Sequence, residues 1–398
     1  MILLVLLVTA LFLGFFGVED VSEALAYTGR FTGVLLLLGA VATLLGAVAV
    51  VDYWFRRSFA YSGMVALLGT ATAAVANGML LVATLRDGDS TAYTLLWCVL
   101  TAGSAWAAVT VYRTSVVIPS PKRVAAAVIV SAAVAVANFG YTQLYQPYET
   151  EADPILDVTL EQPVLRADGK AFALPVTIRF ENRSNVGLYL LAPEFNVMGR
   201  RAPLSQTDRL TSEWRDDMVQ GKQLSRWEIN ESPQLVEAGS WTVFGSLIAA
   251  HQTFTTNRVV ELPVDTPYDQ VQVRASTAIA RRDRLSLDAF GTPGEYSWQS
   301  HHGAPRGLGI STADYVTYRG RIHENNAIAE HTRDPRYVTM WWVFGDSGSG
   351  AAGTIARDGE DDEPATGAEA VQLADRYGLS FLNKGWVVKS LWGIKGQR

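Results

Sequence analysis

Between Met1 and Tyr145 the chain carries five apolar runs with no charged residue inside any of them. A helix needs about 20 apolar residues to cross the ~30 Å hydrocarbon core of a bilayer. In hydrocarbon every backbone polar group must be satisfied within its own element. Runs of this kind therefore fold as membrane-spanning helices. The expected spans are 1–18, 31–51, 59–85, 91–112 and 124–145. The first has no basic region ahead of it and no small-residue cleavage pattern, so it is expected to be a retained helix rather than a signal segment. The fifth is built from Ala and Val and ends in Phe139, Tyr141, Tyr145 and Tyr148, the aromatic cluster of a membrane interface.

Connecting charges orient the spans. The loop after the second run carries Arg56 and Arg57, and the loop after the fourth carries Arg113, Lys122 and Arg123. The other two loops, "VEDVSEALAYTGR" and "RDGDS", hold one arginine each and several acids. The basic pair is expected on the cytoplasmic side. That places the N-terminus inside the cell membrane, and an odd number of spans delivers everything after residue 148 to the extracytoplasmic side.

The run interiors lack Asp, Glu, Lys, Arg and His, the groups that ion and proton pathways use. Their polar residues are mild: Asn77, Asn138, Ser104, Thr70 and Thr72. Gly39, Thr43 and Gly46 lie on one helix face, as do Gly69, Ala73 and Ala74. Close helix packing with a few interhelical hydrogen bonds is the expected role of both sets.

From Glu149 the pattern changes to short alternating runs broken by turns such as Asp168-Gly169 and Asn182-Arg183-Ser184-Asn185. "TIRFENRSNVGLYL" resembles the strand-turn-strand of an immunoglobulin-like sandwich, a resemblance that implies architecture only. Further strands are expected at "GSWTVFGSLIAA", "NRVVELPV" and "DQVQVRASTAIA", with a loop or short helix over 205–232. "YVTYRGRIHENNAIAEH" and "RYVTMWWVFG" read as two more strands. Residues 357–367 read as an acidic linker, and "GAEAVQLADRYG" as an amphipathic helix stopped by Gly378. The expected fold class is a membrane α-helical bundle of about five helices over 1–148. A mainly-β, immunoglobulin-like domain follows over 149–289, then a small α+β extension over 290–398.

Gly345-Asp346-Ser347-Gly348 resembles the start of the nucleophile sequence of chymotrypsin-like serine proteases. Ala249-Ala250-His251 resembles the sequence around their general base, in the right order, with Asp283, Asp288 or Asp314 available to orient the base. The departures are Ser349 where that family has glycine, and small residues followed by an acidic run where it starts an apolar barrel strand. A Gly/Ser turn after a buried strand is the expected reading, and a hydrolase using Ser347 the third-ranked function.

"HENNAIAEH" lacks the second His four positions on that a zinc-protease helix needs. A zinc site from His301, His302, His323 and His331 is the metal alternative, and exposed loop histidines are the expectation. There is no phosphate-loop or dinucleotide glycine motif. Asn182-Arg183-Ser184 fits a glycosylation acceptor. The single cysteine, Cys98, excludes an internal disulfide, and a net charge of −6 offers no footprint for nucleic acid. Trp214, Trp227 and Trp298 stand in polar segments and are the candidate binding face. No catalytic residue, metal or cofactor is assigned. The expected function is a non-enzymatic binding or scaffold protein of the cell envelope. Its partners would be the lipid bilayer and another envelope protein. The second-ranked function is an accessory subunit that packs its helices on a transporter or envelope enzyme.

Overall fold

The computed structural model describes residues 1–114, 152–203, 208–221, 232–299, 314–345, 348–360 and 367–395, with scattered positions between 130 and 141. The expected fifth span lies, those positions aside, outside the described residues, as do Trp227, His301, His302, Ser347 and the core of the acidic linker.

Four helices are long and apolar enough to cross a membrane: α1 (Ile2–Glu23), α2 (Tyr27–Val51), α3 (Ser62–Asp87) and α4 (Thr91–Arg113). α1 runs past the expected end at Val18, so Glu19 and Asp20 stand on its last turn rather than in a loop. Leu6, Leu13, Phe16, Leu80 and Trp97 fill the bundle interior, while Leu4, Leu11, Leu38 and Val48 face outward. The small-residue faces meet as expected where α2 crosses α3. A Cβ added to Gly46 would lie 2.7 Å from the Cα of Gly69. Only two glycines allow backbones that close. Asn77 is fully buried and donates to Thr9 Oγ1 at 2.9 Å, tying α3 to α1. At one end of the bundle Tyr53 donates to the Thr114 carbonyl at 2.9 Å, so α4 finishes beside the end of α2. Glu19, Asp20 and Asp89 belong to the opposite end.

The β region has fifteen strands among the described residues: β1 (Pro154–Leu160), β2 (Val164–Leu165), β3 (Ala171–Asn182), β4 (Leu188–Leu190), β5 (Glu194–Arg200), β6 (Gln234–Ser240), β7 (Ser246–Ile248), β8 (Thr253–Pro263), β9 (Gln270–Arg281), β10 (Leu285–Asp288), β11 (Pro293–Tyr296), β12 (Asp314–Glu324), β13 (Arg336–Gly345), β14 (Gly348–Arg357) and β15 (Ser380–Ser390). Every described pairing is antiparallel. Three sheets result. In the first, β3 lies between β8 and the edge strands β1 and β2. In the second, β9 is central, with β15 on one side and β5 and β4 on the other. The third runs β12-β13-β14, with β10 and β11 both pairing with β12.

The alternation in β3 turns Phe172, Leu174, Val176, Ile178 and Phe180 to one face. Most of that face joins Phe195, Val197, Val271 and Val273 of the second sheet in a common core. Trp241 closes this core and donates from its indole to the Ser276 carbonyl at 3.2 Å. A second core forms between the far end of the second sheet and the third sheet. It gathers Ala278, Ala280, Val316, Tyr318, Val338 and Met340 with Leu373 and Tyr377.

Four helices belong to this region among the described residues: α5 (Thr211–Val219), α6 (Ala327–Thr332), α7 (Gly367–Tyr377) and the single turn α8 (Trp392–Lys395). α5 falls inside the stretch expected to hold a short helix, and α7 ends before Gly378 as its pattern predicts. Two local expectations are corrected. "HENNAIAEH" is not all strand, because β12 stops at Glu324 and Asn326 caps α6 by accepting from Ala329 N–H at 2.9 Å. The glycine-serine stretch expected only as a turn continues from Gly348 into a strand, β14, in register with β13 from Gly348↔Gly345 to Arg357↔Arg336.

Candidate functional site

The bundle and the β region meet through α6. Ala327, Ile328 and Ala329 are apolar and small enough to enter the open end of the bundle. Ala327 and Ile328 are buried in one cluster with Phe16, Leu80, Trp97 and Leu100. The α6 N-terminus leaves unsatisfied N–H groups, and Asp20 of α1 accepts the Ala327 N–H at 2.7 Å. On the same helix His331 meets Glu19 at 2.9 Å and rests on Phe15 and Phe16, with ring centroids 5.2 and 6.0 Å away. At the other end of α6 the Thr332 carbonyl accepts from the N–H groups of Asp89 and Ser90, both at 3.0 Å.

Asp89, in the short turn between α3 and α4, pairs with Arg336 of β13 at 3.3 Å and Arg357 of β14 at 3.1 Å. Burial works against its charge, but Arg336, Arg357 and Arg333 outweigh burial and hold its carboxyl below the usual range. Behind it, Glu324 at the end of β12 is buried between Arg333 at 3.0 Å and Arg376 of α7 at 3.4 Å, and it accepts from the Tyr377 hydroxyl. Burial pushes the Glu324 pKa up, and the two guanidiniums and the tyrosine reverse it to a net lowering. Burial beside Glu324 raises the Tyr377 phenol above its ordinary range. Between α7, the start of β13 and the α3–α4 turn lies a cleft of about 420 Å³ to which Arg86, Arg333, Arg336 and Arg376 contribute.

The sequence-predicted residues lie elsewhere. Trp214 is half-buried on α5 under the guanidinium of Arg209, 4.8 Å from its ring centroid. Trp298 is exposed and packs on Tyr296 and Phe344 at 5.1 and 5.8 Å. Among the described residues the two tryptophans share no ring contact. His251 sits in a left-handed turn (φ 58°) with its Nε2 3.0 Å from Asn185 Oδ1. The three acids considered for it are engaged elsewhere: Asp283 with Arg281 at 2.7 Å, Asp288 with His323 at 3.2 Å, and Asp314 with Ser297 at 3.0 Å. His323 and His331 are held by different acids. Among the described residues no group of three or more His, Cys, Asp or Glu side chains is placed to hold a metal. Asn182 is fully buried, and its amide nitrogen donates to the carbonyls of Val186 and Ala249 at 2.8 and 2.9 Å, which withdraws it from glycosylation.

Sequence reasoning missed the junction. Its one local signal is the acid pair Glu19-Asp20 at the mouth of an apolar run, which reads as loop charge.

No family model and no curated protein matches the chain. Among solved structures it is similar to a structural-genomics target, at 8% identity over 33% of this chain and 74% of that one, with a TM-score of 0.19. It is likewise similar to the putative ApaA protein of Bordetella pertussis, at 13% identity over 33% and 82%, with a TM-score of 0.19. A third likeness is to the sporulation control protein Spo0M of Bacillus subtilis, at 9% identity over 61% and 92%, with a TM-score of 0.19. At that level of superposition they carry no argument about fold or function.

Proposed function

We propose that the protein is a multi-pass cell-membrane scaffold with a cytoplasmic N-terminus. It holds an immunoglobulin-like β-sandwich (149–289) and its extension (290–398) in a fixed pose on the extracytoplasmic face, for binding an envelope partner. The carrying observation is the junction. A domain that merely trailed from an anchor would need no apolar helix seated in the bundle, no shared helix cap and no half-buried ion pair between the two parts. These contacts fix the pose of the β region relative to the helices.

Two further observations support the orientation. The turns on the domain's side of the bundle carry Arg30 and Arg86, whereas Arg56, Arg57 and Arg113 stand at the other end. α4 finishes at that other end beside Tyr53, yet the chain re-enters the β region at Pro154. A fifth span over 124–145, as proposed here, would return the chain from that end to the domain's side. A helical crossing uses about 20 residues, which supports a fifth span there. Of the two described tryptophans of the candidate face, Trp298 has the exposure and aromatic neighbours suited to partner contact.

Protease added to intact cells, and separately to inside-out vesicles, tests the reading. Digestion of the β region only from outside the cell is the expected result. Digestion only in inverted vesicles overturns the orientation but not the fifth span, because the end of α4 and the β region lie at opposite ends of the bundle whichever way it faces.

A further inference from the structure

We propose that the arginine-lined cleft at the junction binds a phosphate-bearing headgroup, with a membrane lipid as its source. This rests on the reading that α1–α4 cross a bilayer, but not on which side the β region lies.

Four arginines, Arg86, Arg333, Arg336 and Arg376, line the cleft against three acids, Asp89, Glu369 and Asp375. Two of the arginines have capacity to spare. Arg336 has a side chain only 10% exposed, and its Nε is buried without a hydrogen-bond acceptor although a terminal nitrogen serves Asp89. Arg86 is exposed at the end of α3, and among the described residues it has no ion-pair partner. A phosphate accepts several charge-assisted hydrogen bonds at once and is the anion guanidinium groups fit best. The cleft's volume suits a headgroup rather than a single water or halide.

Its position argues for a lipid. The membrane-spanning stretch of α3 ends at Arg86. One turn earlier Val82, 54% exposed, shares the helix face of Arg86, and the adjacent Leu85 is 63% exposed. An acyl chain lying along these residues would leave its headgroup at the mouth of the cleft. A basic pocket at the membrane boundary is the usual form of headgroup recognition. A soluble phosphate would gain nothing from the apolar track.

The test is a thermal-shift titration of the full chain in neutral detergent with phosphatidylglycerol, phosphatidylcholine and inorganic phosphate as separate probes. It uses the wild type, Arg86→Gln and Gln372→Glu, which adds a negative charge to the cleft wall. Expected is a saturable rise in Tm with phosphatidylglycerol, a weaker one with phosphatidylcholine, and roughly tenfold weaker phosphatidylglycerol binding in both variants, the scale of one lost charged contact. The ligand-free Tm of Arg86→Gln should equal wild type, because that side chain holds nothing in place. Equal responses to both lipids with no effect of either variant overturn the site. Saturation by inorganic phosphate alone, sensitive to Arg86→Gln, overturns the lipid as source. Neither result bears on the orientation, which the protease experiment decides independently.

Discussion

Asn196 on β5 holds the backbone of Ser349 on β14 from both sides: its amide donates to the Ser349 carbonyl at 3.0 Å, and its carbonyl accepts the Ser349 N–H at 2.6 Å. The glycine-serine stretch that spells a protease motif is thus the seam where the third sheet joins the second. Gly348 precedes the seam at φ 120°, a conformation L side chains rarely adopt. Asn196→Ala is expected to lower stability by about 1–3 kcal/mol, because it strands buried backbone groups. Ser349→Ala should cost far less, since the serine hydroxyl reaches only Glu194, at 3.3 Å. Paired thermal melts in detergent check this, and a larger loss in Ser349→Ala would refute the seam.

Asp89 and Glu324 predict how the junction responds to acid. Each has a folded pKa below its ordinary value, 3.8 for Asp89 and 4.5 for Glu324. Their stabilisation is therefore complete above those ordinary values and is lost as pH falls through the lowered folded ones. Tm should be flat from neutral pH to about 5 as far as these two groups go, then fall below about 4. Asp89→Asn should remove part of that acid limb and also lower Tm at pH 7. A Tm profile from pH 7 to 3 that is identical in wild type and Asp89→Asn would exclude Asp89 as an anchor.

Glu194 runs the other way. Burial raises its pKa against the opposing pull of Ser276, Arg274 and Ser349. Its contribution is favourable below 4.5, the ordinary value, and is lost as pH rises through the raised folded one. Glu194→Gln is expected to leave Tm at pH 7 unchanged or higher. A clear drop would mean that the carboxylate's hydrogen bonds outweigh its desolvation.

Ile328 is the larger of the two apolar side chains that the β region buries in the bundle's cluster, at 5% exposure. Ile328→Ala should cost about 2–4 kcal/mol. It should also raise protease sensitivity around the α6 connection, whereas Val219→Ala, on the exposed end of α5, should do neither. Limited proteolysis beside a thermal melt separates the two variants.

At the α2–α3 crossing, Gly69→Leu has no space, because even a Cβ there would lie 3.1 Å from the Ala42 carbonyl oxygen and nearer still to Gly46. The variant is expected to abolish monodisperse protein in detergent, while Gly78→Leu, whose nearest neighbour is a methyl 4.0 Å away, should be tolerated. Size-exclusion profiles distinguish them.

The helices and most strands were legible because each is announced by its own residues. An uncharged run about twenty residues long states a span, and alternation in "LPVTIRF" states a strand with one face inside. α6 was not legible. Six residues give too little periodicity, and the apolar Ala327-Ile328-Ala329 reads as a strand end until the bundle that receives it is known. The seam was equally hidden, because Asn196 and Ser349 are 153 positions apart and neither is unusual alone. Asp20 looked like a loop acid because its partner, the Ala327 N–H, lies 307 positions further on. Local composition reports burial and turns. It cannot report which distant groups will satisfy one another.

The last strand makes the order of synthesis matter. β15 supplies one whole neighbour of β9, the central strand of the second sheet, in a register that pairs Ser380 with Ile279. At roughly 5–20 residues per second, the 98 residues between Arg281 and Ser380 take about 5–20 s to make. Throughout that interval β9 has one edge open, and an open apolar edge invites the wrong strand. The β region is therefore finished only once β15 has been made, and removing residues 380–390 leaves a sheet with its middle strand at the rim.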